Sequence, residues 1–406
     1  MTKKLFVLFI CILIMLLSAG CWSKKEPKDL AIANSVLYNK VGNTCQVVTE
    51  FMGKSSSKEE GSNTSITITS YGDTFREAIA DSALKVEKNL YGGHVHVRLF
   101  SESVAKEDIT DELDFLLRDH LTDETPLIVI VKGEHPEQIY DCSIGLSDSL
   151  GVYINAMSAS QPKVTSNSVF VPTLNFIRDF FDDGKEPVAG VVHIGKSEKE
   201  ERSPNSDSAS GGSGGSSEES QTAKKSLVYE GLAAFKDGKL VGYFNGIEAR
   251  AYNIITGDIG MAFISVPLRD SYVICEVTDA SSDIKAKIED KNATIDVKIK
   301  TKIRIIADGS DLDVSEPNVM KEIEGLFNQR LLPEIVSAIA KAQTEFKSDI
   351  FGFGNSVHSQ HPEQWKKIKK DWSDIFSKAT VSVSVESSVF QTGEIRDSVL
   401  SEFSED

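Results

Sequence analysis

Cysteine and histidine are scarce in this chain of 406 residues, at five and seven. Cys11 and Cys21 fall near the start, which leaves Cys45, Cys142 and Cys275, widely spaced and odd in number. That excludes a disulfide framework, and the three read as small buried hydrophobes. The histidines are too scattered for a zinc core. No phosphate-binding loop, HExxH helix, Gly-x-Ser-x-Gly elbow or CxxC pair occurs, so no catalytic residue and no cofactor site is legible. Basic residues are in deficit, 44 against 61 acidic, for a formal charge of −17, which disfavours nucleic acid and anionic lipid as partners. Long apolar runs are missing too. The longest, Leu5 to Leu17, has 13 residues, whereas a spanning helix needs about 20.

That run sits in a recognisable place. Lys3 and Lys4 precede it, and Ser18, Ala19 and Gly20 follow before Cys21, the order of an export signal. The string Leu17-Ser18-Ala19-Gly20-Cys21 resembles a bacterial lipobox, whose cysteine is diacylated and becomes the first mature residue. The alternative is a plain secretory signal that happens to contain a cysteine. Two or three acyl chains, at about 0.8 kcal/mol per buried CH₂, hold a soluble domain at a bilayer almost permanently. Membrane contact is then borne by lipid, since losing Lys3 and Lys4 takes the mature charge to −19.

The fold class reads as α+β: two or three mixed α/β domains on largely antiparallel sheets with packed helices. Residues 1–20 are the signal and 21–28 a lipidated tether. The first domain, 29–133, has short strands at Leu30 to Tyr38, Gln46 to Met52 and Ser65 to Thr69. A helix is predicted from Thr74 to Leu90, a strand around His94 to Phe100, a helix from Asp108 to Asp119 and a strand at Leu127 to Val131. In the second helix Ile109, Leu113, Leu116 and Leu117 share a face.

The middle domain, 134–257, carries a helix at Ser147 to Ala159 and strands at Val188 to Ile194 and Leu227 to Phe235, with Asp237-Gly238 as a hairpin turn into Leu240 to Phe244. Within it, 196–225 is nearly all Ser, Gly, Asp, Glu and Lys, too polar to bury a core. The last domain, 258–397, has strands at Ala262 to Pro267, Tyr272 to Glu276, Ile284 to Ile288 and Ile295 to Ile306. Ile295, Val297 and Ile299 alternate there with Asp296, Lys298 and Lys300, the pattern of a sheet with one wet face. An amphipathic stretch from about Asn318 to Lys347 contains Pro333, which costs about 3 kcal/mol inside a helix, so a kink or two abutting helices is expected. Pro362 opens another helix, a strand runs from Thr380 to Phe390, and 398–406 is a polar tail.

Three fragments look like chemistry. His94-Val95-His96 would point both imidazoles one way on a strand and hold a metal if Glu102 approached; otherwise they are polar residues on a wet face. Phe351-Gly352-Phe353-Gly354-Asn355 has glycines but follows a helix, so it reads as a turn, not a nucleotide loop. Lys366, Lys367, Lys369 and Lys370 form a solvated face, or a contact for headgroups or an acidic partner, beside Trp365 and Trp372, which read as core.

Several strings together resemble the Ger(x)C lipoproteins, the C-type subunits of spore germinant receptors. Gly20-Cys21-Trp22 with Glu26 and Asp29-Leu30-Ala31-Ile32 is similar to the family's mature start. Leu113-Asp114-Phe115-Leu116-Leu117-Arg118-Asp119 with Thr125-Pro126 resembles its first-domain helix and strand. Glu345 to Gly354, then His358, His361-Pro362, Trp365-Lys366 and Asp371-Trp372, resembles its C-terminal domain. The resemblance implies three α/β domains, lipidation at Cys21, and a place on the outer face of the spore inner membrane. It also implies polytopic A-type and B-type receptor subunits as partners. It brings no catalytic residue, metal or cofactor, and leaves open whether this subunit touches a germinant. A lipid-anchored extracytoplasmic solute-binding protein is the alternative. Pro333 and the length of 196–225 depart from the family's usual pattern.

Overall fold

The computed structural model describes residues 27–53, 65–118, 125–145, 147–195, 225–308 and 316–391, with Phe6 and Val314. Cys21, most of the signal and tether, nearly all of 196–225 and the tail after Gln391 lie outside the described residues.

Thirteen strands are described: β1 (Leu30–Val41), β2 (Thr44–Met52), β3 (Ser65–Gly72), β4 (Asn89–Tyr91), β5 (Val97–Ser101), β6 (Leu127–Lys132), β7 (Val188–Ile194), β8 (Leu227–Lys236), β9 (Lys239–Phe244), β10 (Ala262–Leu268), β11 (Ser271–Glu289), β12 (Asn292–Asp308) and β13 (Thr380–Gln391). They form two sheets, one ordered β3-β2-β1-β5-β6-β7-β8-β9 with β4 beside β1, the other β10-β11-β12-β13. The α+β class with mostly antiparallel pairing is what the sequence predicts. The first sheet has a parallel centre, β1-β5-β6-β7. It crosses the boundary read at 133–134, since β6 pairs with β7 from Val129↔Gly190 to Lys132↔His193.

The hairpin at Asp237-Gly238 forms because both residues take positive φ, 49° and 79°, matching the twist of the flanking strands. The period-two strand holds as well: Ile295, Val297 and Ile299 are buried while their neighbours Asp296, Lys298 and Lys300 are exposed.

Four expectations change. The helix read from Thr74 to Leu90 spans only Phe75–Ser82, because Asn89–Tyr91 leaves to pair in parallel with Leu30–Ile32. The strands read at Tyr272 to Glu276 and Ile284 to Ile288 are one strand, β11. Its polar middle keeps pairing with β12, where Asp279 meets Lys302 at 3.2 Å. Helices at Thr173–Phe180 and Gly246–Thr256 add to the predicted elements. Finally, the Pro317–Lys341 helix runs through Pro333 without interruption. Val319, Ile323, Phe327, Leu331, Ile335 and Ile339 are buried along it, and six such side chains at about 1.5–3 kcal/mol each outweigh one lost hydrogen bond.

The Gly246–Thr256 helix lies between the sheets, packing on β8 and β9 on one side and on β11 and the Pro317–Lys341 helix on the other. Asn245 and Glu248 form a capping box at its start and Gly257 ends it at φ 79°, each satisfying orphan backbone groups. Arg250 donates to Glu334 at 2.7 Å and Lys341 to Glu248 at 2.8 Å. These partly buried pairs fix the register of the two helices.

Candidate functional site at the junction of the two sheets

After the Pro317–Lys341 helix the backbone turns through Lys347 at φ 50° and buries Asp349. Its carboxylate accepts hydrogen bonds from the amides of Gly352 (3.0 Å), Phe353 (3.2 Å) and Gly354 (2.8 Å) and from the Trp372 indole (2.9 Å). Burial pushes the carboxyl up, while the Gly354 amide, the indole and the other two amides pull it down. The glycine-rich string is therefore a wrapping around a buried carboxylate that opens the Phe353–Gln360 helix, so it is more than the turn read from sequence.

This knot joins the halves of the molecule. Ser348 donates to the Phe235 carbonyl at 2.6 Å, Glu186 donates its amide to the Asp349 carbonyl at 2.9 Å, and Asn355 donates to Asp182 at 2.7 Å. Gly184 and Gly354 touch backbone to backbone, since a Cβ on Gly354 would lie 2.7 Å from the Gly184 Cα. Trp365 and Trp372 are core, edge to face with ring centroids 5.4 Å apart. Of the lysine cluster, Lys366 pairs with Glu363 at 2.7 Å, and Lys369 reaches Asp183 of the other half at 2.6 Å.

Two clefts flank the junction. The larger, of about 570 Å³, is lined among others by Lys163, Phe170, Asn175, Arg178, Asp179, Lys185, Tyr252 and Asp258. Asp179 accepts from Lys185 at 2.8 Å and from Arg178 at 3.0 Å. Burial works against the charge on Lys185, but Tyr252 and Asp179 outweigh it and hold the ammonium well above the usual lysine range. The side chains of Lys163 and Asn175 make no hydrogen bond or ion pair among the described residues, and so face the cleft unpaired. The second cleft, of about 410 Å³, brings Asp182, Asp183, Glu186, Asp237 and Asp349 near Lys369 and Lys370. Burial, with Asp237 and Asp349 adding to it, pushes Glu186 up to about 7. Neither cleft was predicted; their residues are scattered over 200 positions and share no motif.

The other residues singled out by sequence fall elsewhere. His94 and His96 precede β5 and are not on a strand; His96 is lowered by burial and by His94. Glu102 is held by Lys106 at 2.5 Å. Among the described residues no group of three His, Cys, Asp or Glu is placed to hold a metal, and no helix is long and apolar enough to cross a membrane. Cys45, Cys142 and Cys275 are free and buried.

Residues 23–194 match the family model described as the spore germination protein N-terminal domain, and residues 230–393 match the one described as spore germination B3/GerAC like, C-terminal. Spore germination protein KC of Bacillus subtilis (strain 168) is 25% identical over all of both chains. Spore germination protein B3 of the same strain is 21% identical over 97% of this chain and 98% of the relative. Spore germination protein A3, also from that strain, is 24% identical over 95% and 96%. The crystal structure of the GerBC protein superimposes with a TM-score of 0.53 at 17% identity, covering 87% of this chain and 96% of that one.

Proposed function

The chain belongs to the Ger(x)C family of spore germination proteins, and from that membership we propose that it is a non-catalytic, membrane-anchored subunit of a nutrient germinant receptor. The observation that carries this reading is the end-to-end likeness to spore germination proteins: it spans all of this chain and all of the KC protein. Cys21 carries the acyl anchor and places the chain on the outer face of the spore inner membrane. Two sheets welded at Asp349 then present a rigid body to polytopic A-type and B-type partners. Confinement to a membrane plane raises the effective concentration of such partners without any new contact. The acidic surface limits unspecific binding.

Spores lacking the chain should germinate poorly in nutrient. Wild-type protein should restore the response, and Cys21→Ala should not. Germination at the normal rate without the chain contradicts the reading.

The solute-binding alternative is favoured by one feature, the cleft of about 570 Å³, which is of the size that holds small ligands. A nutrient that bound there would raise the melting temperature in proportion to the logarithm of its concentration. A flat response across nutrients removes that alternative.

A further inference from the structure

Among the described residues the two sheet paths end at β3, β9, β10 and β13, and three of these edges are blunted. At β3, Asp81 accepts the Tyr71 amide at 3.3 Å and Lys85 donates to the Thr69 carbonyl at 2.9 Å. At β9, the Glu102–Glu107 helix lies alongside and the Ile109 amide donates to the Gly238 carbonyl at 3.0 Å. The β10 edge contains Pro267, which offers no donor. Such devices keep an edge from recruiting another strand.

Along β13 the Pro317–Lys341 helix packs and its Asn328 accepts from the Ser387 hydroxyl at 2.6 Å, but only one outward backbone group is capped. Val389, at its far end, donates its amide to Glu324 at 2.8 Å, away from β12. Backbone groups two residues apart in a strand point the same way, so Val381, Val383, Val385 and Ser387 turn theirs outward too. Among the described residues nothing meets them. Val381, Val383 and Val385 are only half-buried, whereas Ile295, Val297 and Ile299 on the adjoining strand are closed to solvent. The apolar layer thus continues past the last strand that covers it.

We infer that this edge pairs with the same edge of a second copy, antiparallel, to make a continuous eight-stranded sheet. Charge identifies the occupant. A chain of −17 repels its copy across most surfaces, but β13 carries one charge in its 12 residues against 26% in the whole chain, and that charge, Glu386, is already matched by Lys298 at 2.7 Å. A twofold axis at Val385 sets Val383 opposite Ser387 and Ser384 opposite Glu386, so glutamate never faces glutamate. Valines then continue the apolar layer and serines the wet face, the self-complementarity an isologous contact requires. About eight residues a side is well below the 20–30 of a standard interface, so the pair forms at high local concentration. The inference does not depend on the receptor role.

The test uses the full chain with Ser384→Cys alone, or with Ser382→Cys and Ser388→Cys together so that position 382 of one copy faces 388 of the other, a short bismaleimide, and concentrations up to about 1 mM, with the parent chain as background. Dimer above background is expected at one or more positions. Adding Val385→Pro should return it to background while the chain stays folded, because the amide it removes is not used by β12. The inference is overturned by no dimer at any concentration, by cross-linking indifferent to Val385→Pro, or by slow exchange of the Val381, Val383, Val385 and Ser387 amides in the monomer, which would mean that the chain covers its own edge.

Discussion

In the first sheet β5 is buried along all five residues and β6 along five of six, whereas β12 of the second sheet buries every other residue and leaves a charged face in water. A sheet covered on both faces has only its ends and edges to offer, and its clefts open where loops meet the second sheet. A sheet with one wet face needs one helical layer, here the Gly246–Thr256, Pro317–Lys341, Phe353–Gln360 and Trp372–Lys378 helices, and stands or falls by how that layer is tied down. The tie is the Asp349 knot, so the junction should be fragile where the wet face is tolerant.

The sharpest way to break that contrast is Asp349→Ala, which strands three amides and the Trp372 indole without an acceptor. A loss of about 3 kcal/mol or more is expected, read by urea unfolding followed through tryptophan fluorescence. Gly354→Ala comes next. In an exposed helix the change would stabilise by up to about 1 kcal/mol; here the new Cβ meets the Gly184 backbone, and a loss of about 2 kcal/mol is expected. A gain in stability would mean that the two backbones are not in contact.

Glu186 sharpens the comparison with pH. Its carboxyl titrates near 7 in the folded chain against about 4.5 unfolded, so folding favours its protonated form. The stability it lends is complete below about pH 4.5 and is lost as pH rises through 7. Glu186→Gln should therefore gain on the wild type between pH 5 and pH 8 in thermal melts; a constant difference contradicts the assignment. The smallest effect belongs to the wet face, where Lys298→Ala removes an exposed pair with Glu386 and should leave the melting temperature unmoved, since such pairs contribute little.

The same contrast explains what could be read in advance. Alternation along Ile295 to Lys300 reports the wet face directly, and Asp237-Gly238 reports its hairpin, because both signals are local. The parallel pairing of β5 and β6 is not local; an apolar run such as Leu127 to Val131 says only that it is buried. Pro333 misled because the propensity cost is written in the sequence, whereas the burial of Ile323, Phe327 and Ile335 that overrides it is set by strands elsewhere. The Gly246–Thr256 helix has a legible signal, Asn245 followed by Glu248. Gly184 and Gly354 lie 170 positions apart, and nothing in either neighbourhood announces their contact. The family strings around Asp349 and Trp372 were legible as strings, and their physical reason, a shared buried carboxylate, is visible only once they are folded together.

The central claim is tested most directly by gentle solubilisation of inner membranes from dormant spores carrying an affinity-tagged chain, followed by identification of what is recovered with it. Two polytopic membrane proteins in amounts similar to the chain, lost with Cys21→Ala, is the predicted result. Recovery of the chain alone, or with a transport permease, would contradict the receptor-subunit account.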